Sequence, residues 1–113
     1  MDIVNLTPHD IVFMRDEHTS TRTTYPAEPG RIARVVTEDR DTGVRIDGFP
    51  VVESVPIRIE GLPAPRDDLW LIVSGMVLAA CPERDDLVAP DTGPESAIRD
   101  NSGRLQAVRR WRR

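Results

Sequence analysis

Four of the six side chains from Asn5 to Asp10 can hydrogen-bond or titrate: Asn5, Thr7, His9 and Asp10. His9 beside Asp10, with Thr7 near, has the residue types of a general base with an orienting carboxylate. That chemistry would belong to a small hydrolase or lyase. Neighbours along a strand point to opposite faces, so His9 and Asp10 pair only if a turn bends them together. The competing account is a turn in which the Asn5 and Thr7 side chains satisfy nearby backbone groups.

Ser74 follows the apolar run Leu69–Val73 and precedes Gly75. A nucleophile elbow needs Gly two places before the Ser and two places after it. Ile72 and Met76 hold those places here. Ser74 therefore reads as the N-cap of a short helix, whose open N–H groups also suit an anion. Arg84 and Arg99 are each followed by Asp. Turned into one cleft with the Ser74 helix start, they would grip a phosphate or carboxylate. Left outside it, they are ordinary Arg–carboxylate pairs. Asn5, Thr7, His9, Asp10, Ser74, Arg84 and Arg99 together form the candidate ligand-binding set.

The Asp67-Asp68 and Asp85-Asp86 pairs, with His9, offer oxygen and nitrogen donors, but no spacing matches a metal-ligand motif. No glycine-rich phosphate loop is present. No metal and no cofactor is expected. His18 reads as a solvent-facing loop residue.

The elements that must position these groups follow from periodicity. Asp2–Leu6 and Asp10–Met14 read as short strands around the Thr7-Pro8-His9 turn. Residues 15–30 read as an exposed loop, and Arg31–Glu38 as a strand. Glu38 to Gly43 reads as a polar turn that makes a hairpin with Val44-Arg45-Ile46. In Val51–Glu60 the residues Val55, Ile57 and Ile59 alternate with Ser54, Pro56, Arg58 and Glu60, which predicts one buried and one wet face. Pro56 puts that strand at an edge or a bulge. Leu69–Val73 reads as a central strand buried on both faces. Gly75–Cys81 reads as a helix stopped by Pro82. Leu87-Val88 reads as a brief strand. Ala97-Ile98 and Arg104–Val108 read as a hairpin turning at Asp100 to Gly103. Leu71, Val73, Val77 and Leu78 are the expected core. The fold class is α+β, mostly antiparallel β with one short helix, in a single compact domain over residues 1–108. A basic tail follows at 109–113.

All fifteen basic residues are Arg, and the net charge is −4. Four Arg lie at 109, 110, 112 and 113, so residues 1–108 set nineteen acids against eleven Arg, a net of −8. An acidic body disfavours nucleic acid over most of its surface. Trp111, amid those Arg, fits a plug closing the last strand onto the core better than a base-stacking surface. Cys81 is alone, so no internal disulfide forms and no Cys-based zinc site exists. It reads as a buried, inert thiol. No signal-like or membrane-spanning run appears, and a cytoplasmic setting is expected.

Three blocks carry a resemblance. They are Asn5-Leu6-Thr7-Pro8-His9, then Ile72-Val73-Ser74 continuing to Arg84-Asp85-Asp86-Leu87-Val88-Ala89-Pro90, then Arg99-Asp100 with Gly103-Arg104. The chain resembles a group of small uncharacterised proteins of bacteriophages and GC-rich bacteria that open with the same N-L-T-P-H string. That group has no established activity, so it supplies no catalytic residues. It implies a phage, prophage or mobile-element setting, in which small proteins often act as binders. The expectation is a non-enzymatic binding protein, self-associating, that holds a small anionic, nucleotide-like ligand or a protein partner. The alternatives are the His9 hydrolase or lyase, and contact with nucleic acid or an acidic protein through the Arg/Trp tail.

Overall fold

The four apolar residues of Leu69–Ile72 and the four of Leu87–Pro90 are too short to stand alone, and they pair side by side. In the computed structural model, which describes residues 2–15 and 21–113, the strands are β1 (Asp2–Asn5), β2 (Ile11–Phe13), β3 (Thr23–Tyr25), β4 (Arg34–Ile46), β5 (Phe49–Glu60) and β6 (Leu69–Ile72). The helix α1 (Gly75–Ala80) and strands β7 (Leu87–Pro90), β8 (Ile98–Arg99), β9 (Leu105–Ala107) and β10 (Trp111–Arg112) follow. The fold is α+β, mostly antiparallel, with one short helix. His18 lies outside the described residues.

A small sheet in the order β1-β6-β7-β10 forms the centre. Two of its three pairs, β1 with β6 and β6 with β7, are parallel. A parallel step needs a crossover, and α1 supplies the one between β6 and β7. Ser74 caps α1 as expected, its hydroxyl accepting from the Val77 N–H at 3.3 Å. Leu71, Ile72, Val73, Val77 and Leu87 are completely buried, which fits a central strand covered on both faces, whereas Leu78 is half-buried. Leu6, Ala33 and Cys81 complete that core. Met14, Ile98 and Ala107 form a second, smaller one.

Three expectations need correction. Residues 15–30 are not all loop: Thr23–Tyr25 pairs with β2, Tyr25 opposite Ile11. The β-branched Thr pair and the aromatic ring suit a ladder once a partner is at hand. Glu38 to Gly43 is not the hairpin turn either. It runs inside β4, and the chain reverses at Asp47-Gly48, with φ of 53° and 84°. Asp-Gly fits a two-residue hairpin loop, which needs positive φ at both places. The earlier Gly43 becomes a bulge instead, where the register shifts between Asp41 and Arg45.

The third correction concerns Val55, Ile57 and Ile59. Val36 faces Arg58 and Thr37 faces Pro56, so Ile57 has no residue opposite. This bulge beside Pro56 breaks the alternation, and Val55 and Ile59 part to different faces. The hairpin meets the main core at its base, where Val35 and Ile59, both half-buried, pack against it. Beyond them β4 and β5 project as a two-stranded arm. The radius of gyration is 17.2 Å with extents of 54 × 40 × 25 Å, against about 13 Å for a compact chain of this length.

Candidate functional site

Asn5 ends β1 with its side chain buried, and a buried amide must find partners. Its Nδ2 donates to the carbonyls of His9 and Tyr25, both at 2.9 Å. Its Oδ1 accepts from the Thr7 N–H at 2.9 Å and from Thr7 Oγ1 at 2.7 Å. All four bonding positions of the amide are used. Asn5 and Thr7 therefore build the turn and stitch it to β3. The polar string is an internal brace, and it presents His9 outward.

Above that brace lies an open cleft of about 810 Å³. Thr7, Pro8, His9, Asp10 and Ile11 form one wall, Val73, Ser74 and Gly75 the floor, and Ala89 to Gly93 with Leu105 and Arg112 the other wall. Strand β6 ends where α1 begins, so the cleft sits at the end of the central parallel strands. Open α/β sheets place ligands at the same location.

Four of the seven candidate residues meet here: Thr7, His9, Asp10 and Ser74. Asn5 is buried among them without lining the space. Arg84 and Arg99 are elsewhere. Arg84 grips both oxygens of Asp86 at 2.8 Å and donates to the Pro63 carbonyl at 3.0 Å. That clasp holds the 61–65 connector to the loop after α1. The Arg84 hydrogen bond holds the Asp86 carboxyl below its ordinary range, against the opposing effect of burial. Arg99 donates to the Gly103 carbonyl and closes the β8–β9 turn. Neither Arg lines the cleft.

The acid–base pair does not form. Asp10 Oδ1 accepts from the Ala27 N–H at 2.7 Å. Among the described residues no side chain hydrogen-bonds the His9 ring. Among those residues, too, no three His, Cys, Asp or Glu side chains converge as a metal site. Cys81 is buried, and burial pushes its thiol up, with Glu83 adding to the shift and Arg84 opposing it.

Asp91 is the residue that sequence reasoning missed. Its side chain is only 3% exposed, and it accepts from Arg110 Nε at 2.5 Å, Arg112 Nη2 at 3.2 Å and the Gly93 N–H at 3.0 Å. The Arg110 hydrogen bond, then the Gly93 N–H, then Arg112 hold its carboxyl down to about 2. Ser96 is also fully buried and accepts from the Arg109 and Arg110 N–H groups. The signal was present as an Asp-Thr-Gly turn after an apolar strand, but nothing local named the Arg that would reach it.

These contacts fold the basic segment down. Trp111 stacks on Phe13 at 4.2 Å and on Tyr25 at 5.3 Å between ring centres. Three of the five aromatic residues thus form one cluster, with β10 paired on β7. Arg113 lies 5.6 Å from the Trp70 ring centre. Trp111 is the plug expected from its setting.

No known protein family, characterised protein or solved structure matches the chain. Among the described residues, no helix is long and apolar enough to cross a membrane.

Proposed function

We propose that this protein is a non-enzymatic binding module whose cleft takes an apolar segment of a protein partner. One observation carries the reading. Pro8, Ile11, Ala89, Pro90 and Leu105 line an open cleft whose few polar groups are largely committed to the fold. Apolar walls with sparse polar groups at the rim are the usual make-up of a binding cleft. A small anionic ligand has less support, because Arg84 and Arg99 serve other contacts and Arg112 is shared with Asp91. The hydrolase or lyase reading lacks a partner for His9 among the described residues. Nucleic-acid contact through the tail lacks a free stacking face, since Trp111 is spent on Phe13 and Tyr25. A cytoplasmic setting and a phage or mobile-element origin belong to the same proposal, on the lone Cys81 and on the sequence resemblance.

The test is amide NMR during titration with blocked hexapeptides rich in Phe and Ile, and separately with inorganic phosphate. Peptide shifts at Ile11, Ser74, Ala89 and Leu105 are expected. Phosphate shifts confined to Ser74, Gly75 and Arg112, with peptides inert, would replace this reading by the anionic one. Silence of the whole cleft to both would end it.

A further inference from the structure

The charges lining the cleft do not cancel. Asp91 in one wall is matched twice, by Arg110 and Arg112, and Arg110 also reaches Glu95 at 3.4 Å. Those two acids and two Arg form a neutral group. Asp10 in the opposite wall stands outside it. Its Oδ1 is held at 2.7 Å by the Ala27 N–H, which fixes the carboxylate without neutralising it. Among the described residues no Arg pairs with Asp10. His9 beside it counts as neutral at pH 7. One negative charge in the lining is thus left with no cation to answer it.

The rest of the molecule adds to that sign. Residues 1–108 carry a net of −8, and such a field draws cations toward a cleft with low-dielectric walls. An anion finds little purchase, because Arg112 is already shared with Asp91.

Space and polarity narrow the occupant further. The volume of about 810 Å³ admits a few side chains and not the face of a folded domain. Pro8, Ile11, Pro90 and Leu105 favour apolar groups. A segment laid over them also strips water from Asp10, and a carboxylate that loses water without a counter-charge costs free energy. A cation carried by the segment offsets that cost. We propose that the cleft selects a partner segment that combines apolar side chains with a Lys or Arg, whose cation sits on Asp10. This rests on the cleft being a site for a protein segment, and it adds the charge that the segment must carry. The basic tail of a second copy is not that segment, since its Trp111 is stacked on Phe13 and Tyr25.

Three blocked hexapeptides of one sequence rich in Phe and Ile, differing only in a single Lys, Gln or Glu, test this by amide NMR titration of the full chain. Low ionic strength preserves the charge contrast, and about pH 8 keeps an ordinary His neutral. The Lys peptide is expected to bind about threefold tighter than the Gln peptide, and the Glu peptide weaker than both. D10N keeps an oxygen for the Ala27 N–H and removes the charge, so it should bring the Lys peptide to the affinity of the Gln peptide. Equal affinities for Lys and Gln in the wild type overturn the proposal and leave the cleft reading standing. A Lys preference that survives D10N overturns it in favour of the general field of the acidic body. Failure of all three peptides to shift the cleft amides overturns both.

Discussion

The arm and the basic tail are the two charged, strand-like segments of this molecule, and the fold treats them oppositely. The tail lies against the body. Its charges meet Asp91, which is almost fully buried, its backbone meets the buried Ser96, and its Trp111 completes an aromatic cluster. The arm stands away from the body. Its ion pairs, Arg40 with Glu38 and Arg45 with Asp41, join residues of the arm to each other and are about half exposed. Such pairs contribute little to stability. Both segments are densely charged, the arm mostly acidic and the tail basic, so the presence of charge alone does not decide which lies down. A buried acceptor beyond the segment's own neighbours does.

The comparison can be broken at several points. The largest effect is expected where the body is densest. Leu71→Ala should cost about 3 kcal/mol in denaturant unfolding, while Phe49→Ala at the arm tip should stay within about 0.5 kcal/mol. Equal losses at the two positions would mean that the arm is part of the cooperative core. Next, Trp111→Ala should cost about 2 kcal/mol, because a half-buried ring loses two aromatic neighbours. An unchanged melting temperature would show that the tail is merely laid on the surface.

The third prediction concerns acid. Asp91 is held at about 2 in the fold, against about 3.9 for an ordinary Asp. A depressed carboxyl stabilises the folded state above its unfolded value, and that stability is lost as pH falls through the folded one. The tail should therefore loosen between about pH 4 and pH 2. Fluorescence of Trp111 in a Trp70→Phe background should follow this window, and Asp91→Asn should remove the transition. A transition of the same size in the Asn variant would assign it to another group. The smallest effect is expected in the arm, where Arg45→Ala should change stability by less than about 0.5 kcal/mol. A larger loss would mean that the Asp41–Arg45 pair holds the bulge in shape.

Much was legible in the residues alone. Ser74 before Gly75 and a Pro82 stop gave α1, because capping and chain breaking act over a few residues. Uninterrupted apolar residues gave β6 as a buried centre, and Asp100 to Gly103 gave the β8–β9 turn. The brace formed by Asn5 and Thr7 was readable for the same reason, since Asn5 Oδ1 meets Thr7 two residues away. Where two signals competed locally, the weaker was easily chosen: Asp41-Thr42-Gly43 resembles a turn as much as Asp47-Gly48 does, and only the pairing of Ile46 with Phe49 separates them.

What no local pattern could supply was convergence. Arg84 and Asp91 each carry charge that must be matched once it leaves water, and the matching group lies wherever packing brings it. For Arg84 that partner is Asp86, two residues on, which removes it from any site. For Asp91 it is Arg110, nineteen residues on. The cleft draws its walls from five stretches of chain that meet only through the central sheet β1-β6-β7-β10 and the small ladders of β2 and β9 beside it. The sequence by itself determined the elements, their caps and the buried centre, because these depend on near neighbours and on hydrophobic period. The tertiary structure alone decided which polar groups face a common space, that the tail closes and that the arm projects. Those outcomes depend on contacts between residues far apart in the chain.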